Sequence, residues 1–147
     1  MIRQRSIFAL MAALLMTFFV SYSSLAAKAP TSYTPAQVEQ IQRAVPTLTE
    51  LRSRLDQLET LIQQRRWVDV RTYIHGPLGE LRAQLRTVAV TLLPQDQKKA
   101  LELSKSVFND LVKIDLAAKT IDAVRVSSGY QQALQDFDAF LKLIPQA

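Results

Sequence analysis

The chain has 147 residues, room for one domain. With 48% hydrophobic and 21% charged residues its composition is that of a globular protein, which excludes a disordered tail or a collagen-like rod. It has no cysteine and three glycines (Gly76, Gly79, Gly129), so disulfides, thiolate metal sites, c-type haem attachment and cysteine nucleophiles are excluded, and glycine is too scarce for a phosphate-cradling loop. The formal net charge is +5, from 18 basic and 13 acidic residues.

Residues 1–26 read as an address. Arg3 and Arg5 precede the apolar run IFALMAALLMTFFV (Ile7 to Val20), and a short stretch of small and polar residues follows. This is the pattern of a secretory signal. The run is short for a spanning helix, which needs ~20 apolar residues. Ser24-Leu25-Ala26 predicts cleavage after Ala26, with Ala27 the next best site; the alternative is an uncleaved anchor. Removing 26 of 147 residues leaves 121, with 16 basic and 13 acidic residues and a net charge of +3. All three methionines (Met1, Met11, Met16) go with the signal, and His75 is the one histidine. Methionine–histidine haem ligation and a multi-histidine metal site are therefore excluded, and no cofactor is expected.

Residues 27–33 (AKAPTSY) form a polar lead-in without periodicity, expected to be mobile. The domain proper is expected over residues 34–147. Thr34 caps a helix, with Pro35 at its first position and Gln37 at the capping-box spacing. Val38, Ile41, Val45, Leu48, Leu51, Leu55, Leu58 and Ile62 then follow at steps of three or four, one buried helical stripe. Pro46 interrupts it and predicts a kink near Val45 or a break into a short first piece. A second stripe runs Trp67, Val70, Ile74, Leu78, Leu81, Leu85, Val88, Leu92, in phase through Gly76-Pro77. It reads as one kinked helix rather than two helices on a shared axis, ended by Pro94. The third begins near Gln95-Asp96 and carries Ala100, Ser104, Val107, Leu111, Ile114 and Ala118, flanked by Leu101, Leu103 and Phe108. The stripe fades over Lys119 to Val126. Ser127 or Ser128 is then expected to cap a fourth helix with Tyr130, Leu134, Phe137, Leu141 and Ile144, stopped by Pro145. No stretch alternates as a strand would. Long helices with short connections predict an all-α, up-down-up-down four-helix bundle.

The chemistry of an enzyme is missing. There is no G-x-S-x-G and no glycine-rich turn to present a nucleophile beside the single histidine. Asp136 and Asp138, two apart, point to different sides of a helix and read as solvated charges flanking Phe137. His75 has no carboxylate at the Glu-x-x-His spacing of di-iron bundles, so it is only a weak metal candidate, and is expected to cap or pack near Gly76-Pro77. Arg71, His75, Arg82 and Arg86 are spaced four, seven and four apart. On one helix they would fall within about 60° of each other, beside the apolar stripe. They read either as a solvated face moderated by Asp69 and Glu80 or as a docking strip for an acidic partner. Export and modest charge argue against nucleic acid.

Four strings carry a resemblance: SYTPAQVEQIQ (Ser32 to Gln42), WVDVRTYIHGPLG (Trp67 to Gly79), LLPQDQKKA (Leu92 to Ala100) and DFDAFLKLIP (Asp136 to Pro145). In this order and at these separations they resemble the cyanobacterial PsbQ-like proteins, extrinsic subunits of photosystem II, over essentially the whole mature chain. The resemblance implies a non-enzymatic four-helix bundle, peripheral on the lumenal side of the thylakoid membrane. It would bind the photosystem II core beside other extrinsic subunits, stabilise the assembly with its manganese–calcium–chloride site and support water oxidation. One departure matters. Members usually carry a lipobox cysteine that is acylated, and here the aligned stretch reads Phe19-Val20-Ser21-Tyr22. Tyr22 cannot be lipidated in this way, so no lipid anchor is expected and attachment rests on protein contacts. The rival from another class is a periplasmic or lumenal metal-binding bundle using His75 and carboxylates.

Overall fold

A computed structural model describes residues 30–146. The signal segment, its cleavage site and Tyr22 lie outside the described residues. The described chain is all-helical: α1 (Pro35–Gln42), α2 (Val45–Gln63), α3 (Trp67–His75), α4 (Leu81–Ala89), α5 (Pro94–Lys119) and α6 (Ala123–Leu141). None of these helices is long and apolar enough to cross a membrane. The longest, α5, packs most extensively along α6 and receives α4 and α3 on other flanks; α2 meets α3 and α6.

The helical stripes become the core. Leu48, Leu51, Leu55, Leu58 and Ile62 of α2 are buried, as are Val70 and Ile74 of α3 and Leu81, Leu85 and Val88 of α4. Ala100, Val107, Leu111, Ile114 and Ala118 of α5 meet Tyr130, Phe137 and Phe140 of α6. A fully buried Leu or Phe contributes about 1.5–3 kcal/mol through area removed from water. Gly129 sets the closeness of α6 to α5, because a Cβ there would lie 2.9 Å from Ile114 Cγ1.

The N-terminal cap forms as expected. Thr34 Oγ1 accepts from Gln37 N at 3.3 Å, and Gln37 Oε1 accepts from Thr34 N at 2.9 Å. The chain breaks after α1, and Pro46 falls in the first turn of α2, where its missing N–H costs nothing. The end of the lead-in is seated: Tyr33 packs on the core and its hydroxyl accepts from Leu93 N at 3.1 Å.

Three expectations are corrected. The second stripe is two helices, not one kinked helix. Residues 76–80 form a turn in which Leu78 N donates to Tyr73 O and Gly79 N to Gly76 O. Gly79 is needed there, since a Cβ would lie 2.8 Å from His75 O. Arg54 of α2 holds the turn, donating to Pro77 O at 2.6 Å and to Glu80 at 2.8 Å. Second, Pro94 does not merely end α4, which stops at Ala89; it opens α5. Third, α6 starts at Ala123, capped by the Asp122 carboxylate accepting from Arg125 N at 3.0 Å, so Ser127 and Ser128 lie inside the helix.

Two helices end in the same way without glycine. After α2, Arg66 N donates to Leu61 O and Arg65 N to Ile62 O; after α5, Asp122 N donates to Ala117 O and Ile121 N to Ala118 O. This is the double-bonded C-terminal turn that needs one left-handed residue, usually glycine. Arg65 (φ 54°) and Ile121 (φ 58°) fill those places.

Trp67, the first residue of α3, is half-buried against the core rather than fully enclosed. Trp67→Ala is therefore expected to cost about 1–2 kcal/mol, below the ~3–5 kcal/mol of an enclosed tryptophan. A denaturant titration of the two proteins checks this.

Candidate functional site

The basic residues expected to share one helix lie on two. Arg71 and His75 are on α3, Arg82 and Arg86 on α4, with the 76–80 turn between them. Their alignment comes instead from α5. Phe108 and Asp115 are seven residues apart on α5, two turns, and so share one of its faces. Asp115 Oδ1 accepts from Arg71 Nε at 3.1 Å, and His75 Nε2 lies 3.0 Å from the same oxygen, where a protonated Nε2 donates. Two turns earlier, the Arg82 guanidinium stands 4.5 Å from the centroid of Phe108. The face of a ring carries negative charge, so the cation is held there by electrostatics as well as packing. Arg86 is exposed one turn beyond Arg82.

A groove of about 400 Å³ runs between these contacts, lined by His75, Gly79, Arg82, Phe108, Val112 and Asp115. Val112 and Leu116 on its rim are 41% and 58% exposed. The face therefore combines cations with open apolar surface. Asp115 pairs with Arg71, whereas Arg82 and Arg86 make no ion pair among the described residues. The two acids expected to moderate the strip do not: Asp69 pairs with Arg66 at 2.7 Å and Glu80 with Arg54 at 2.8 Å. His75 does not cap or pack into the turn; its side chain is 68% exposed and turned to Asp115. Among the described residues no three His, Asp or Glu side chains gather to hold a metal ion, and His75 with Asp115 supplies only two donors.

Asp136 and Asp138 point to different sides of α6 and flank buried Phe137, as expected, but each has a side-chain partner. Asp138 accepts from Arg52 Nε at 2.8 Å and so ties α6 to α2, whereas Asp136 accepts from Gln132 Nε2 at 3.1 Å within α6.

This arrangement spans the end of the WVDVRTYIHGPLG string, the start of α4 and the α5 face on which they pack. The sequence model of PsbQ, described as oxygen evolving enhancer protein 3, matches residues 3–145. The chain belongs to the PsbQ family. It is also 44% identical over 148 residues to CyanoQ of Synechocystis sp. (strain ATCC 27184 / PCC 6803 / Kazusa), covering 100% of this chain and 99% of that protein. Within this PsbQ-family chain, Asp115 is the residue that sequence reasoning missed. Its signal was the seven-residue step from Phe108 beside the Leu111 and Ile114 stripe. Its partners lie 40 and 44 positions away, beyond any helical spacing rule.

Proposed function

We propose that the protein is a non-catalytic extrinsic subunit of photosystem II, peripheral on the lumenal side of the thylakoid membrane, which stabilises the complex and supports water oxidation. The carrying observation is the match to the PsbQ family along nearly the whole chain. The helix order and contacts support an up-down-up-down bundle: α1 with α2, α3 with α4, α5 and α6 make four lengths joined by short turns, and α5 meets the second and the fourth. The segment before Ala27 would be removed on export, and with Tyr22 in place of a lipobox cysteine the mature chain would carry no acyl group.

Docking is assigned to the face of Arg71, His75, Arg82 and Arg86, toward an acidic lumenal surface of the photosystem core or its extrinsic subunits. Charge contacts of this kind are screened over ~8–10 Å at moderate salt. Photosystem II isolated from the source cells should therefore carry this chain, with an intact mass starting at Ala27, and release it in concentrated salt. Arg82→Glu with Arg86→Glu should rebind salt-washed photosystem II about tenfold more weakly, ~1.4 kcal/mol, while helical circular dichroism is kept. Arg71 is left untouched because an acidic side chain in its place would face Asp115. Equal rebinding would remove this face from the reading. Absence of the chain from the isolated complex would remove the reading itself.

A further inference from the structure

We propose that the end of the molecule formed by the turns at 64–66 and 120–122 is a contact site for an anionic lipid bilayer surface. Both left-handed residues, Arg65 and Ile121, stand there. A β-branched side chain is a poor occupant of that backbone region. Ile121 is also 68% exposed, so no internal packing offsets its placement. Folding alone gives no reason for isoleucine at this position; contact with an external apolar phase does.

The two turns meet around a groove of about 440 Å³ lined by Arg65, Trp67, Val68, Arg71, Lys119 and Ile121. Six large apolar side chains are exposed among the described residues, and Val68, Ile121 and Val124 belong to this end, with Leu116 one turn below. Val68 and Val124 are 78% and 80% exposed. Cations surround them. Arg66 and Arg125 are paired with Asp69 and Asp122, but Arg65 and Lys119 make no ion pair among the described residues. The end thus carries uncompensated positive charge around separate apolar tips.

A protein partner would require these tips to fit a shaped counterpart. A bilayer interface accepts them singly, while arginine and lysine stems lie along the apolar zone with their charges at the headgroups. Tryptophan favours the same depth. Anionic headgroups supply the complementary charge, and each basic residue near such a surface strengthens binding about fivefold. Of the preceding reading this proposal takes only the placement at a membrane face.

Trp67 is the one tryptophan of the chain, so its emission reports this end alone. It stands near the C-terminal end of α5, whereas Tyr33 docks at the start of that 26-residue helix, about 39 Å away at 1.5 Å per residue. The full chain is mixed with vesicles of equimolar phosphatidylglycerol and phosphatidylcholine with brominated acyl chains, and with brominated phosphatidylcholine alone. Trp67 should be quenched by the first and not by the second. Arg65→Gln with Lys119→Gln should raise the lipid needed for half quenching about 25-fold. Ile121→Asn should weaken quenching without lowering the melting temperature, because asparagine tolerates the left-handed backbone. Unquenched Trp67 on anionic vesicles, equal quenching on both vesicles, or quenching unmoved by these variants would overturn the proposal. So would variants that rebind photosystem II more weakly while vesicle quenching stays intact, which would make this end a protein contact. Copurification with the photosystem can succeed or fail independently of each of these results.

Discussion

Phe137→Ala is expected to lower the free energy of unfolding by about 3–5 kcal/mol, the largest loss of any single change considered for this chain. Phe137 has no exposed surface and lies on the α6 stripe with Tyr130, Ala133 and Phe140. Its neighbour Asp138 accepts a hydrogen bond from Arg52 of α2, which ties this turn of α6 in place and opposes its moving in to fill the space. A cavity left by partial relaxation adds to the lost transfer energy. Against a total stability of about 5–15 kcal/mol this is a large share. Urea titration should show the midpoint falling with the slope unchanged. A loss below about 1 kcal/mol would mean that α6 collapses into the vacancy and that the Arg52–Asp138 link does not hold it.

The core that Phe137 belongs to was legible in the sequence because burial follows the 3.6-residue period, and that period is local. Leu48 to Ile62 and Ala100 to Ala118 needed nothing else. The cap at Thr34 was legible for the same reason, since donor and acceptor are three residues apart. The break at 76–80 was hidden by the phase of its own stripe. Leu78 and Leu81 are both buried, so the apolar steps run on through a turn that leaves the helix. The ends of α2 and α5 were hidden by composition, because the turns that normally announce themselves by glycine are made here by Arg65 and Ile121. The start of α6 was misplaced because Ser127 and Ser128 look like caps, while Asp122, next to the left-handed residue, does the capping.

The candidate docking face was legible as a set of charges and not as an arrangement. The 100° rule places Arg71, His75, Arg82 and Arg86 together only on a continuous helix, which they do not share. They line up because α5 supplies Asp115 and Phe108 at a two-turn interval. A buried acid escaped the sequence altogether. Asp110 is 2% exposed, with Oδ1 accepting from Lys113 at 2.7 Å and Oδ2 without a partner among the described residues. Its position, three after Val107 and four before Ile114, keeps the buried helical spacing, which a stripe drawn through Leu111 passes over. It is buried because Gly129 lets α6 come close enough to cover it.

Above pH 10 the protein should lose stability in a way traceable to one hydroxyl. Tyr130 is enclosed between α6 and α2, and its hydroxyl donates to Glu59 Oε2 at 3.3 Å. Burial, with the nearby Glu59 and Asp56 carboxylates, pushes its pKa up from 10 to about 12. An unfolded chain would ionise this group near pH ~10. Between pH 10 and 12 the unfolded state therefore releases a proton that the folded state keeps. The stability due to the neutral phenol is complete below pH 10 and is lost as pH rises through the folded pKa, an effect of about 2 kcal/mol once solvent screening is allowed for. Tyr130→Phe removes the titrating group. At neutral pH it should cost about 0.5–1.5 kcal/mol for the hydrogen bond to Glu59. Its stability should then decline less steeply than that of the natural chain across the alkaline range. Denaturant midpoints of the two proteins measured at matched pH, together with tyrosinate absorbance, separate Tyr130 from Tyr33 and Tyr73. Parallel pH profiles for the two proteins would show that the Tyr130 hydroxyl reaches water and ionises in the folded state as readily as in the unfolded one.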